Sequence, residues 1–370
     1  MRRREDLSRA DARVASRTGG TTGAATPGAH LTQVEIPREP AAASALPHAS
    51  QEPRERRLVV VFASLALLVV GAIALYLTWG VDGHWDFALP RRLEQVAALI
   101  VVGVAIAVST VIFQTLTQNR ILTPSIMGFD ALYVLLATTL VFVLGSTVAE
   151  SIDPLLMYAV NAGLMMGAAT LLFRWVLGDG TRGLYTMVLV GVIAGTFFGS
   201  LTSFMFRVMD PNEFDTLMDQ LFASFNAIDT TLLGISAVLL GVGIVAAYRL
   251  VPRLDVLVLG RERAITLGLD YDRTVTVLLL IVAGLVSVST ALVGPITFLG
   301  LLVANLAYQL TRTHRHVINL TAAGMLAVVA LVLGQAVLVH VLHFAGTLAS
   351  IINVVGGIYF IALLLKEARA

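Results

Sequence analysis

An all-α, polytopic membrane protein with about ten transmembrane helices is the fold class this sequence predicts, and three observations predict it. The 370 residues are 57% hydrophobic and 13% charged, against about 25% charged in an ordinary soluble domain, so lipid is the solvent for most of the chain. Apolar runs of roughly 17–25 residues, the length that crosses a bilayer as a helix, recur from Leu58 almost to the C-terminus. The short segments of alternating polarity that build a membrane barrel do not occur.

The charge balance narrows the partners. With 25 basic and 24 acidic residues the net charge is +1, which suggests neither nucleic acid nor an acidic substrate. The chain has no cysteine, so disulfides, thiolate metal sites and Fe–S clusters are excluded. Its sole lysine is Lys366, between Leu365 and Glu367. A phosphate-binding loop needs G-x-x-x-x-G-K-[ST], and Lys366 lies in no such string. ATP, if it drives this protein, binds to another subunit, and this chain is expected to hold no cofactor and no metal.

Residues 1–57 mix Arg, Ala, Thr, Gly and Pro without apolar periodicity. Such a segment buries too little surface to offset its chain entropy, and a disordered cytosolic tail is expected. Arg2, Arg3 and Arg4 resemble the start of a signal peptide, but the first long apolar run begins only near Leu58, too late for a cleaved leader. From 58 to 366 the sequence reads as one ten-helix domain, with spans at 58–79, 94–117, 124–145, 154–177, 184–206, 230–250, 273–293, 296–311, 317–340 and 347–365. Arg54, Arg56, Arg57, Arg120, Arg182, Arg249, Arg253, Arg261, Arg263, Arg312, Arg315 and Lys366 all fall on one side of these spans. Asp82, Asp86, Glu150, Asp153, Asp210, Glu213, Asp215 and Asp219 fall on the other, where Arg91, Arg92 and Arg207 are the exceptions. Basic loops stay in the cytosol, which predicts a multi-pass protein of the bacterial plasma membrane with both termini inside.

An internal echo links the halves. Ala107-Val108-Ser109-Thr110-Val111 lies in the second span, running inward, and Ser287-Val288-Ser289-Thr290-Ala291 in the seventh, running outward. That arrangement suits an inverted repeat of spans 2–5 and 7–10, a common transporter plan. Small residues also pack helices closely in any bundle.

The longest cytosolic loop joins spans six and seven. Within it Leu259-Gly260-Arg261-Glu262-Arg263-Ala264-Ile265-Thr266-Leu267-Gly268 reads as a short helix bracketed by glycines, with Gly268 suited to the left-handed position that ends a helix. Ala264, Leu267 and Gly268 form an apolar end, while Arg261, Glu262 and Arg263 face water. A helix displayed in this way, near 255–269, docks into the groove of a soluble partner or is simply a solvated loop.

This stretch resembles the coupling loop of the iron-chelate and cobalamin permease family (FecCD-type), which reads approximately LGEExAxSLG; Leu259, Gly260, Glu262, Ala264, Leu267 and Gly268 match. Downstream, Gly294-Pro295-Ile296-Thr297-Phe298-Leu299-Gly300-Leu301-Leu302-Val303 is similar to the family's GPIxFxGLxV. Upstream, Gln114 followed by Asn119-Arg120-Ile121-Leu122-Thr123-Pro124-Ser125-Ile126-Met127-Gly128 resembles its Q…NPLAxPxxLG. The resemblance covers about residues 85–366. It implies a dimer of ten-helix permeases, two ATPase subunits below and an extracytoplasmic substrate-binding protein above, with the loop at Gly260–Gly268 seated in the ATPase cleft. Gln114, Asn119, Pro124, Gly128, Gly294, Pro295 and Asn305 then become pathway or gate candidates, together with Phe222 and Phe225 in the segment before span six, which in relatives lines the outer channel.

Departures from the family pattern refine this. The Pro-His pair that often follows GLxV is Ala304-Asn305 here, and a later Asp is Gln335. An early RxxR, which in relatives meets acidic knobs of the binding protein, reads Arg92-Leu93-Glu94-Gln95, with Arg91 available as a substitute. Asn119-Arg120-Ile121-Leu122-Thr123-Pro124, Gly346-Thr347-Leu348 and Ile352-Asn353-Val354-Val355-Gly356-Gly357 resemble the subgroup serving ferric catecholate and related siderophores, in which two different permeases commonly pair. A heterodimeric importer of ferric siderophore is therefore expected, with cobalamin or haem as the alternative cargo.

Polar groups inside the spans weigh on the mechanism. Gln114, Asn161, Asn305, Gln335 and Asn353 sit among apolar neighbours, where an unpaired amide costs on the order of 2 kcal/mol or more; each bonds a neighbouring helix or lines a wet pathway. Asp130 is the one acid more than a turn inside an apolar run. An ion-coupled carrier usually carries several buried charges, so this chain speaks against that class. His340 and His343 are spaced for one helix face, as interfacial histidines or as a metal pair.

Overall fold

The computed structural model describes residues 52–81, 83, 85–177, 184–221, 225, 228–344 and 346–367. Of the tail expected at 1–57, residues 1–51 lie outside the described residues and 52–57 are helical, as the start of the first helix; the candidate Phe222 also lies outside the described residues. Every expected span is helical, and the described residues contain no strand. In chain order the helices are α1 (Glu52–Thr78), α2 (Trp85–Thr117), α3 (Phe129–Leu144), α4 (Ser146–Ser151), α5 (Pro154–Leu177), α6 (Leu184–Val208) and α7 (Pro211–Leu221). They continue with α8 (Thr230–Arg249), α9 (Val251–Leu257), α10 (Arg261–Thr266), α11 (Tyr271–Val293), α12 (Leu299–Thr311), α13 (His316–His340) and α14 (Leu348–Glu367).

Two helices start earlier than their apolar runs. α1 begins at Glu52 because its first turn tolerates Pro53 and its acids favour the helix N-terminus. α2 begins at Trp85 and runs through Pro90; the missing N–H there orphans only the Asp86 carbonyl in the first turn. The third span is interrupted instead: a 3₁₀ turn at Pro124–Met127 ends on Gly128 at φ +87°, and α3 follows. This break and the one at Gly294 explain why α3 and α12 are shorter than the helices long and apolar enough to cross a membrane.

Burial divides the helices into centre and periphery. The most apolar stretches of α2, α11 and α13 are 72%, 61% and 61% buried, against 11% for α1 and 17–22% for α5, α6 and α8. α2 packs between α13 and α11, with α12 and α8 on its flanks, while α1 lies along α13 and α3 against α6. The most extensive pairings are α2 with α13 and α5 with α11. Exchanging spans 2–5 for spans 7–10 turns each of these pairs into the other. At the crossing of α2 and α11, Ser109, Thr110, Ser289 and Thr290 are all buried and line one small cavity, so the sequence echo marks where the two halves meet.

Glycine sets two of the closest approaches. A Cβ on Gly300 of α12 would stand 2.1 Å from the Thr110 hydroxyl, and one on Gly195 of α6 would stand 2.8 Å from the Gly128 Cα. Gly195→Ala is therefore expected to destabilise the protein by about 1–3 kcal/mol through overpacking, read as a lower Tm in detergent. Gly199→Ala, one turn further along α6 with nothing within 4 Å, is expected to leave Tm unchanged.

Candidate functional site

The loop expected to carry one short helix near 255–269 carries two. α9 continues from α8 after a single non-helical residue, Leu250, and its Val251, Leu254 and Leu257 are buried, which anchors the segment under the bundle. Gly260 then adopts φ +93° at the N-cap of α10, a conformation an L side chain resists. α10 closes with the paired bonds of a Schellman ending: Gly268 N–H to the Ile265 carbonyl at 2.9 Å and Leu269 N–H to the Ala264 carbonyl at 3.0 Å. Arg261 ties the segment to α11, donating to Asp272 at 3.1 Å and lying over the Tyr271 ring.

The sequence groups Ala264 with Leu267 and Gly268 as one apolar end; the structure separates them. Ala264 is fully buried, whereas Leu267 is 63% exposed, because the helix ends at Thr266 and the chain turns outward into Gly268 at φ +83°. The outward surface joins exposed Val258, Leu259, Ile265 and Leu267 with exposed Glu262 and Arg263. Four large apolar side chains beside charges on a loop at one end of the bundle make a surface fit for a protein groove.

The pathway candidates resolve into a network between helices. Gln114 Nε2 donates to the Arg120 carbonyl at 2.7 Å, and Asn305 Nδ2 donates to the same carbonyl at 3.1 Å and to the Leu301 carbonyl at 2.9 Å. Asn119 is exposed, and its side-chain oxygen accepts the Ile121 N–H at 2.9 Å. Pro124 and Gly128 form the buried 3₁₀ break; Gly294 and Pro295 form the second break, with the Gly294 N–H on the Thr290 carbonyl at 2.8 Å. Thr297 in the second break donates to Asp130 beside the first at 2.9 Å. Phe225 is 1% exposed and packs in the core.

At the opposite end Arg91 and Arg92 differ. Arg92 Nη1 donates to the carbonyls of Tyr76, Leu77 and Trp79 at 2.8, 3.3 and 2.7 Å, which meets the orphan acceptors at the C-terminus of α1. Arg91 is exposed, its guanidinium over the Phe87 ring. His340 stacks on Trp79 at 4.6 Å with Nε2 on the Trp79 carbonyl at 2.9 Å. His343 lies beyond α13 in a turn at φ +47°, so the shared helix face read for the pair is not formed.

Sequence reasoning passed over one cluster. His316, buried at the start of α13, bonds Asp255 of α9 at 2.6 Å and approaches the Thr115 hydroxyl of α2 at 3.0 Å. Its only signal is a histidine among the loop arginines that set orientation.

The model of the FecCD transport family matches residues 58–366. The chain is 44% identical over 317 residues to the petrobactin import system permease protein YclO of Bacillus subtilis, covering 86% of this chain and 99% of that protein. It is 34% identical over 277 residues to the petrobactin import system permease protein FatC of Bacillus anthracis, covering 75% and 78%. Its fold is shared, at TM-score 0.74 and 19% identity over 84% of this chain and 99% of the other, with a solved structure described as an inward-facing metal-chelate type ABC transporter.

Arg92→Ala is expected to lower stability by about 1–3 kcal/mol, because charged hydrogen bonds to three carbonyls are lost. Arg91→Ala is expected to leave it unchanged. Thermal unfolding of both variants in the same detergent checks the pair.

Proposed function

This chain belongs to the FecCD transport family, and from that premise we propose that it is the membrane-spanning permease subunit of an ATP-driven importer of ferric siderophore. The observation that carries the reading is 44% identity along essentially the whole of a petrobactin permease, and petrobactin is the first cargo to assay. Transport requires of this subunit two packings of similar energy that partners bias, and no covalent chemistry.

ATP hydrolysis belongs to two separate ATPase subunits, since the one lysine of this chain lies outside any phosphate loop. The ATPases grip the coupling segment: exposed Leu259, Ile265 and Leu267 enter the groove, while Glu262 and Arg263 meet its rim. Gly260 and Gly268 hold α10 in the required attitude through their positive φ. A second, different permease completes the channel, both termini face the cytosol, and a substrate-binding protein docks outside. With Arg92 engaged in capping α1, Arg91 carries the charge available to an acidic knob of that protein.

In proteoliposomes holding the whole importer, Gly260→Val and Glu262→Lys are each expected to cut uptake at least tenfold and abolish stimulation of ATP hydrolysis by loaded binding protein, with membrane insertion intact. Native coupled uptake in both variants would remove the segment from this role. Arg91→Glu is expected to weaken capture of loaded binding protein several-fold at moderate salt, as reversal of a rim charge does; unchanged affinity there counts against Arg91.

A further inference from the structure

Three elements meet at one imidazole. Asp255, on α9 of the coupling segment, receives both the ring Nδ1–H of His316 at 2.6 Å and its backbone N–H at 3.2 Å. A carboxylate only accepts, so the ring proton facing it is fixed on Nδ1. The same oxygen caps the first turn of α13, which lacks a side-chain cap of its own. The other ring nitrogen stands 3.0 Å from the hydroxyl of Thr115 in the last turn of the central helix α2, a hydroxyl whose proton is shared with the Val111 carbonyl at 2.7 Å.

One side of this contact is buried: the His316 side chain is 5% exposed and that of Asp255 44%. Asp255 is flanked on α9 by buried Leu254 and Leu257, so a tilt of α9 carries the carboxylate with it. The Arg261–Asp272 tie of the coupling segment is exposed on both sides, at 44% and 66%, where solvent screens an ion pair; the Asp255–His316 contact has one buried partner. A cavity of about 280 Å³ lined by Thr115, His316, Arg120, Tyr308 and Val258 borders the joint, leaving space into which the end of α2 can swing.

Resting on the coupling reading above, we propose that Asp255, His316 and Thr115 form the joint that transmits displacement of the coupling segment to α2, with His316 as its positioning residue. Packed apolar surfaces slide past one another; a chain of short hydrogen bonds between groups with few rotatable bonds holds its length.

The test is ATP hydrolysed per cargo imported by the complete importer in proteoliposomes, with Tm measured alongside. His316→Ala and Asp255→Ala are expected to raise the ratio at least tenfold while stimulated ATP hydrolysis stays within twofold of native. Thr115→Val is expected to raise it about threefold at unchanged Tm. Asp255→Asn, which keeps an acceptor, should return the ratio to within threefold, and Asp255→Ala with Thr115→Val should be no worse than Asp255→Ala alone. Should His316→Ala fail to assemble, the Asp255 and Thr115 variants decide. A ratio within twofold of native in both Asp255→Ala and Thr115→Val overturns the proposal, as does a joint fall of hydrolysis, uptake and Tm in both. If Glu262→Lys also behaves as native, the coupling assignment has failed; if Glu262→Lys uncouples while these do not, only the joint has.

Discussion

A helix that ends leaves backbone groups without an intrahelical partner, and this architecture depends on how those groups are met. α2 stops at Thr117, and the chain then crosses to the 3₁₀ turn at Pro124. Over that stretch the Asn119 N–H reaches the Gln114 carbonyl, the Asn119 side chain takes the Ile121 N–H, and the Arg120 carbonyl receives both Gln114 and Asn305. Three side-chain amides thus meet two backbone groups of the stretch, the Ile121 N–H and the Arg120 carbonyl. Amides that look costly in an apolar run are therefore what permits the run to end where it does.

The two breaks also bind to one another. Asn305 reaches from α12, after the second break, to the Arg120 carbonyl in the loop that leads into the first, and Thr297 of the second bonds Asp130 beside the first. The halves related by the repeat are thus cross-linked where each loses its helical continuity, next to the Ser-Thr crossing of α2 and α11. Such discontinuous helices at a repeat interface are where transporters place their moving parts.

Around this centre the peripheral helices expose long apolar faces, as α6 does through Leu189, Ile193, Phe197, Leu201, Phe204 and Val208, which lipid or another apolar surface can cover. The segment from Val251 to Gly268 differs because its exposed apolar residues sit beside charges at the end of the bundle. Two glycines with positive φ display them there, and buried Leu254, Leu257 and Ala264 fasten them.

By itself the sequence determined the all-helical class, the positions of the apolar spans except where α1 and α2 extend past their runs and where breaks shorten α3 and α12, and the glycine-bracketed short helix at 260–268. Composition and periodicity report which solvent each residue meets, and the glycine spacing reports where the backbone must turn. The partner of each polar group was decided only in three dimensions. Gln114 and Asn305 were legible as amides needing partners, but that they share one carbonyl follows from the packing of α12 against α2. Arg92 is legible as a charge at the outer end, and its capping of α1 depends on how that helix leans on its neighbours. His316 and Asp255 are 61 residues apart, and no spacing rule joins them. Helix rotation and depth set which side chains touch, and those depend on all the packed surfaces at once.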